Sequence, residues 1–518
     1  MKIDLKTAEQ NVLSIITEIY IACIIIIFPL IVDKTGFFRI LECKYRFYTS
    51  ISIVYILAII STIVAMYVIK KKNVLKNIKI TKVQVAVIVF WIINAFSCFL
   101  SPYFKDYNLF IGVGRGEGLI NITLYCVTFL FITMFGKFKK RYLIYFTISS
   151  ILITSVAVLQ YVGFNPFNMY QDGIGTHNVS FFSTIGNLDF VSAILVLFLS
   201  VSFAMYVFLD EEKWKKVLCL IAILLGAFII GIIDVDSGKV AFIFTVGLLL
   251  PFIILSSKRL SKILNMLIMI LLGYGINLFI NPKYLYSTGE LGFYFQFNYI
   301  LLMYIIIIGI LFILSRILAK EKYSYDYLDN KKIIRNIYLG IGGIIVLAIL
   351  VIYFIDIPFS MLHEIHQLLH GNFDDEFGTY RIFLWKRAIT LVKDHPIIGT
   401  GPDTFAVRFM PKYYQDVAAL GELTINDTAA NVYLTMLVNI GMIGLLAYLT
   451  FIILLIKNAL KTKDKYVLVL LISAICYLAQ DFFNLWVVIV TPVFWVLLAI
   501  LLQAIKNKSL EENVEKSL

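Results

Sequence analysis

Long apolar runs alternate with short polar joints along the whole chain. The runs are about 20 residues each, enough to cross a hydrocarbon core of roughly 30 Å. About fourteen of them are expected, centred near Ile25, Ile59, Phe90, Cys126, Leu152, Val196, Leu225, Val246, Met269, Ile307, Val346, Met436, Leu471 and Val493. This pattern predicts an all-α polytopic membrane protein. The first run, Val12 to Val32, contains Glu18 and lacks a small-residue cleavage signal, so it is expected to remain as a span.

The joints alternate in charge. Lys70 to Lys82, Lys137 to Arg141, Lys213 to Lys216, Lys258 to Lys262, Lys320 to Arg335 and Lys457 to Lys465 are basic and fall on one side, which the positive-inside rule makes the cytoplasm. Asp33 to Arg46, Ser101 to Glu117, Phe164 to Asn187, Asn281 to Gln296 and the long segment after Asp356 then lie outside. The expected organisation is a bundle of about eleven helices over residues 1–356 and an extracytoplasmic helical loop module over 357–430. Helices over 431–505 complete the bundle, and a cytoplasmic tail covers 506–518. No internal repeat is visible, which weakens a transporter reading.

Composition agrees with the pattern. Hydrophobic residues make up 60% of the chain and charged residues 15%, with mean hydropathy +0.89. A soluble protein would carry about a quarter charged residues. The net charge of +12 is spread over short juxtamembrane joints, so it reports topology rather than a nucleic-acid surface. The six cysteines form neither a disulfide framework nor a Cys-x-x-Cys metal motif.

Polar residues concentrate near the outer ends of the spans: Arg115 and Glu117, Asn187 and Asp189, Asp234, Asp236 and Lys239, Arg381, Asp427 and Asn431, and Gln480, Asp481 and Asn484. Such groups at membrane depth mark a cavity, here one that opens outward. In the outer segment, Met361 to His370 and Arg381 to Lys393 read as amphipathic stretches, and Gly399 to Asp403 as a turn. Thr428 or Asp427 is expected to cap the helix that follows.

Several motifs carry candidate chemistry. His363, His366 and His370 share a helix face but lack a His-Glu-x-x-His pattern or a fourth ligand, so no metal site is expected; His177 and His395 read as loop residues. The turn Gly112-Val113-Gly114-Arg115-Gly116-Glu117-Gly118 has no preceding strand and is no nucleotide loop. Its Arg115 is either an anion contact or a partner of Glu117 or of lipid headgroups. Lys239 sits at the tip of a tight helical hairpin, where its cation can reach lipid headgroups. Arg381, in Gly378-Thr379-Tyr380-Arg381-Ile382-Phe383-Leu384-Trp385, can offer a guanidinium fork to two phosphate oxygens or pair with Asp374, Asp375 or Glu376.

Asn431, nine residues and then Gly441-Met442-Ile443-Gly444, preceded by the Arg381 to Trp385 motif and Pro396-Ile397-Ile398-Gly399-Thr400-Gly401, resembles the O-antigen ligase and O-antigen polymerase superfamily. The family signature is His-Asn, nine residues, Gly-x-x-Gly; Ala430 stands at the expected catalytic His. The likeness covers roughly residues 370–450 and is weaker at Arg115 to Leu119 and Thr184 to Asn187.

The resemblance implies an inverting, metal-independent glycosyltransferase of the bacterial cytoplasmic membrane that needs no cofactor. Its donor would be an undecaprenyl-diphosphate-linked saccharide and its acceptor a hydroxyl of a glycan, glycolipid or protein, with the active site facing outside. It casts Arg381, Lys239 and Arg115 as donor contacts, Asn431 as part of the catalytic helix end, and Trp385, Gly399, Gly401, Gly441 and Gly444 as motif residues. Asp427, one helical turn before Asn431, is the nearest substitute base. The span number and modest outer loop lean towards a polymerase over a ligase. The alternatives are a chain impaired by Ala430, a non-catalytic relative that binds glycan lipids, and a polysaccharide-lipid flippase.

Overall fold

In lipid, backbone polar groups must be paired within the segment that carries them, so apolar runs of spanning length fold as helices. The computed structural model describes residues 5–70, 79–162, 164–170, 181–281, 294–295, 299–320, 331–358, 360–420 and 427–517. His177 and much of the joints Lys70 to Lys82, Phe164 to Asn187, Asn281 to Gln296 and Lys320 to Arg335 lie outside the described residues.

The helices run α1 (Leu5–Ala22), α2 (Ile40–Lys70), α3 (Lys82–Phe99), α4 (Leu119–Phe135), α5 (Arg141–Tyr161) and α6 (Leu188–Phe208). They continue as α7 (Lys213–Ile233), α8 (Asp236–Ile254), α9 (Ser257–Phe279), α10 (Tyr299–Lys320) and α11 (Lys331–Phe354). The outer segment holds α12 (Ser360–Leu369), α13 (Phe377–Asp394) and α14 (Phe405–Ala419), and the chain closes with α15 (Val432–Lys461), α16 (Lys465–Gln480) and α17 (Thr491–Ser517). Among the described residues, extended structure is limited to two antiparallel pairs of two-residue strands, β1 (Phe181–Phe182) with β2 (Gly186–Asn187) and β3 (Ile280–Asn281) with β4 (Tyr294–Phe295).

Among the described residues eleven helices are long and apolar enough to cross a membrane. Of the other expected spans, those near Cys126 and Leu471 fall on the shorter apolar helices α4 and α16, and the one near Val493 falls in α17. The chain is therefore an all-α, multi-pass membrane protein.

The core lies around α6, which is enclosed along its whole length, while the outward faces of α10 and α11 are apolar and exposed. Trp495 of α17 is buried in an aromatic cluster, stacked with Phe451 at 5.5 Å and with Tyr125 at 5.8 Å. The outer segment has a second core of its own, in which Phe383, Leu384, Ala388 and Leu391 of α13 meet Phe405, Phe409 and Val417 of α14 together with Ala429 and Val438. The sequence reading found α12 and α13 but not α14, whose pattern is interrupted by Pro411 and by a non-helical Tyr413.

Helix α15 breaks at Gly441 (φ 68°, ψ −175°), and the break is filled by the turn that follows α13. The amides of Thr400 and Gly401 both donate to the Asn439 carbonyl at 2.8 Å. Reciprocally, Met442 and Ile443 donate to the carbonyls of Pro396 and Ile397 at 2.9 and 3.1 Å. Backbone groups that the break would orphan are thus paired. Buried Arg408 of α14 bonds the carbonyls of Val438 (3.2 Å) and Leu391 (2.5 Å), tying the outer segment to the same place.

Candidate functional site

The first half of α15 starts from an ordered turn. Asn431 is its N-cap, with Oδ1 accepting from the Leu434 amide at 2.9 Å. The capping expected of Thr428 or Asp427 is not what the chain uses: Thr428 Oγ1 instead accepts from the Ala430 amide at 3.2 Å, one turn earlier. Ala430 has φ +47°, a left-handed conformation in which histidine is more frequent than most side chains. The backbone at this position thus suits the residue it lacks.

Helix α13 supplies the next wall. Trp385 Nε1 donates to the Ala429 carbonyl at 3.0 Å and its ring leans on Phe483, fixing the turn from above. Arg381 follows three successive left-handed residues, Gly378, Thr379 and Tyr380, a conformation that carries strain at the two non-glycine positions. Its Nη1 donates to the Gly378 carbonyl at 2.8 Å and its Nη2 to that of Phe483 at 3.1 Å. Its Nε is buried without a hydrogen-bond partner. The acidic residues weighed as alternatives do not take it: Asp375 pairs with Lys386 and Arg387, both outside this site.

The glycine-rich turn closes the opposite side. Asp403 aims Oδ2 into it and accepts from the amides of Gly114 and Arg115 at 3.0 Å and of Glu117 at 3.4 Å. The cradle that resembles an anion loop therefore holds a carboxylate of the chain itself. Its positive-φ glycines, Gly112 and Gly116, allow the wrap, and a Cβ at Gly112 would overlap Asp403. The side chain of Arg115 reaches across to Asp427, Nε to Oδ2 2.6 Å, and lies over the Phe190 ring. Its partner is thus Asp427 and not the neighbouring Glu117. Asp189, at the start of α6 behind the Asn187 cap, feels the charge of both Arg381 and Arg115. Two guanidiniums and two carboxylates therefore gather around the turn that opens α15.

Between Glu117 and Thr428, close in sequence to Arg115 and Asp427, lies a cavity of about 60 Å3, lined also by Asn94, Asp403, Thr435 and Asn439 among apolar neighbours. Burial pushes the Glu117 carboxyl up to about 8, against the Tyr125 hydroxyl that donates to Oε1 at 3.0 Å. Burial likewise raises Asp403 to about 6, in spite of its three amides. Asp481, whose carbonyl takes the Val432 amide, is held well above the usual carboxylate range by burial. The sequence places Glu117 and Asp481 only among the polar residues that mark the outer cavity, and Asp403 only in a turn, without assigning chemistry to any of them. The only available signal was an acidic residue inside a glycine turn or beside a helix end.

Lys239 stands apart. It is on the expected hairpin, between α7 and α8, but is bound by Asp234 and by Asp236 at 3.0 Å. It lines a separate apolar cavity of about 400 Å3 between α6, α7, α8 and α9. The three histidines of α12 are also engaged locally: His363 with Asp356 at 2.7 Å, His366 with the Ile352 carbonyl at 2.6 Å and His370 with the His366 carbonyl at 2.8 Å. Among the described residues no group of three or more His, Cys, Asp or Glu side chains is arranged to hold a metal ion.

The interlocked segments correspond to a known family. The family model described as O-antigen ligase matches residues 291–449, from just before α10 to the middle of α15. Comparison with curated proteins finds no match. The matched region contains Arg381, Trp385, the turn from Pro396 to Gly401, Asn431 and the break at Gly441, and over this region the chain is similar to the O-antigen ligase family.

Proposed function

We propose that this chain, within the glycan-transfer role of the superfamily it resembles, moves a saccharide from an undecaprenyl-diphosphate carrier to an acceptor hydroxyl at the outer face of the bacterial plasma membrane. The reading includes inversion at the anomeric carbon and no metal. The observation that carries it is that Arg115 and Arg381 flank the turn at residues 427–431, with the Arg381 Nε buried and unused. A leaving diphosphate needs charge-matched donors that are already in place, and a guanidinium meets two of its oxygens at once. The α15 N-terminus, capped by Asn431, adds the positive end of a helix dipole. Lys239 is left out of this set, since two aspartates neutralise it.

Transfer also needs removal of a proton from the acceptor. Ala430 supplies no acceptor for it where the family carries histidine, so turnover falls to a trace unless another group takes the proton. The donor side is tested by binding of undecaprenyl diphosphate to the purified full-length chain. Arg381→Ala should abolish binding and Arg381→Lys should restore it only in part, because lysine is a point charge without a fork. Wild-type affinity in both variants would refute the donor-site assignment.

A further inference from the structure

The cavity beside Thr428 is lined mostly by apolar side chains, with open acceptor oxygens among them. Glu117 Oε2 and Asn94 Oδ1 both face burial without a hydrogen-bond partner, in residues that are 8% and 0% exposed. Asp403 and Asn439 add further oxygens to the same wall, and Thr428 and Thr435 flank it. Buried acceptors left open in a small, largely apolar space fit a ligand that brings O–H donors on a carbon frame. At about 60 Å3 the space admits one or two water-sized groups, a scale set by roughly 30 Å3 per water. A sugar hydroxyl and the carbon that bears it meet both requirements.

Its position is suited to the reaction. Asp427 and Thr428 are adjacent in the chain: the first holds Arg115, the second lines the cavity. Arg115 and Glu117 are two residues apart in the turn pinned by Asp403. A hydroxyl seated here would stand next to the guanidinium proposed for the leaving diphosphate.

Resting on the glycan-transfer reading above, we propose that this cavity seats the acceptor hydroxyl and that Glu117 takes its proton. The acceptor oxygen bonds to the anomeric carbon. The bond from that carbon to the diphosphate oxygen breaks, its electron pair leaving on the diphosphate, and the hydroxyl proton passes to Glu117 Oε2. No further reactant is needed. The missing histidine at Ala430 is then answered from the cavity lining, by a carboxylate whose surroundings keep its basicity near neutral pH. Those surroundings are Tyr125 on α4, Tyr48 on α2, Tyr477 on α16, Thr491 at the start of α17 and Asp403 just before α14. Asp427 serves the same end poorly, because it is committed to Arg115.

The test uses membranes carrying the full-length chain and charged with radiolabelled sugar nucleotides, so that transfer is read as label moving from lipid to polymer. Binding of undecaprenyl diphosphate to the purified chain is measured in parallel. Glutamine copies the shape of the protonated carboxyl, so Glu117→Gln should keep binding within about twofold while transfer drops by roughly 10² to 10⁴. Wild-type transfer should rise with pH to a midpoint near 8, and the residual rate of Glu117→Gln should lack that rise. Tyr125→Phe removes a donor that favours the ionised carboxylate, so it should shift the midpoint to higher pH. Transfer by Glu117→Gln within threefold of wild type at every pH, or an unmoved midpoint in Tyr125→Phe, would overturn the proposal while leaving the glycan-transfer reading intact. A wild-type chain that binds the diphosphate but moves no label at any pH would overturn both.

Discussion

Gly399 and Gly441 meet backbone to backbone: a Cβ on Gly441 would overlap the Ile397 carbonyl and crowd the Gly399 amide, and one on Gly399 would overlap the Asn439 carbonyl. Both have positive φ, and the ψ of −175° at Gly441 belongs to a region open essentially to glycine alone. The two glycine motifs are thus halves of one joint that seats the outer segment in the break of α15. Gly441→Ala should cost about 3 kcal/mol or more, combining the backbone strain with a collision that neither segment can relieve. Gly399→Ala should cost somewhat less, since left-handed alanine is only mildly strained. Gly247→Ala on α8, where no atom lies within 4 Å of the new methyl, is the neutral control. Thermal unfolding of the purified chain in detergent measures all three, and equal melting of Gly441→Ala and wild type would count against the joint.

Stability should fall as pH rises from about 4 to about 8. Asp403 and Glu117 have folded-state values of about 6 and about 8, above the ordinary carboxylate values of about 4 that they regain on unfolding. The folded chain therefore holds these two protons more tightly, and the stabilisation present in acid is lost through each folded value in turn. For Asp403 alone the loss is of order 3 kcal/mol. Asp403→Asn should flatten the decline between pH 4 and 6, and Glu117→Gln the decline up to pH 8. Melting temperatures that rise across this range in the wild type would contradict the assignment.

Much of this was legible from periodicity and spacing, and the rest was not for physical reasons. Apolar runs fix helices because lipid leaves the backbone no other partner, so the spans and the hairpin tip at Lys239 could be read directly. The motif glycines could be recognised, but their mutual contact could not, because it joins residues some forty positions apart through backbone atoms only. Asp403 looked like a turn residue, and its role in pinning the Gly112 to Gly118 turn needs the fold to be seen. Helix α14 was missed because Pro411 hides its period. Arg381 was found in sequence, but its company was not: the expected acidic partners belong to Arg387 and Lys386, while Phe483, more than a hundred residues on, takes its Nη2.

The outer segment is expected to face outside. Asp374 is exposed before α13, and Lys463 is exposed in the basic joint between α15 and α16. With cysteine placed at each in turn, an impermeant thiol reagent should label Asp374→Cys in intact cells and Lys463→Cys only after permeabilisation. The reverse pattern would put the guanidiniums on the cytoplasmic side and remove the basis for an outward-facing site.

Asp427→Asn separates a base from a counter-ion. As the chain stands, Asp427 neutralises Arg115 in a contact of 2.6 Å with both side chains largely withdrawn from solvent. A diphosphate that uses Arg115 must displace or share that carboxylate. Removing its charge should therefore tighten undecaprenyl diphosphate binding several-fold, limited by the looser hold on the Gly112 to Gly118 turn. Each tenfold change would correspond to about 1.4 kcal/mol. The pair is still reached by solvent on one side, which screens part of the Coulomb attraction, so a gain much beyond tenfold is not expected. Transfer in the same variant should fall by no more than a few-fold if Asp427 only restrains Arg115. Loss of transfer by roughly 10² or more, with binding of the diphosphate unchanged, would instead mark Asp427 as the base.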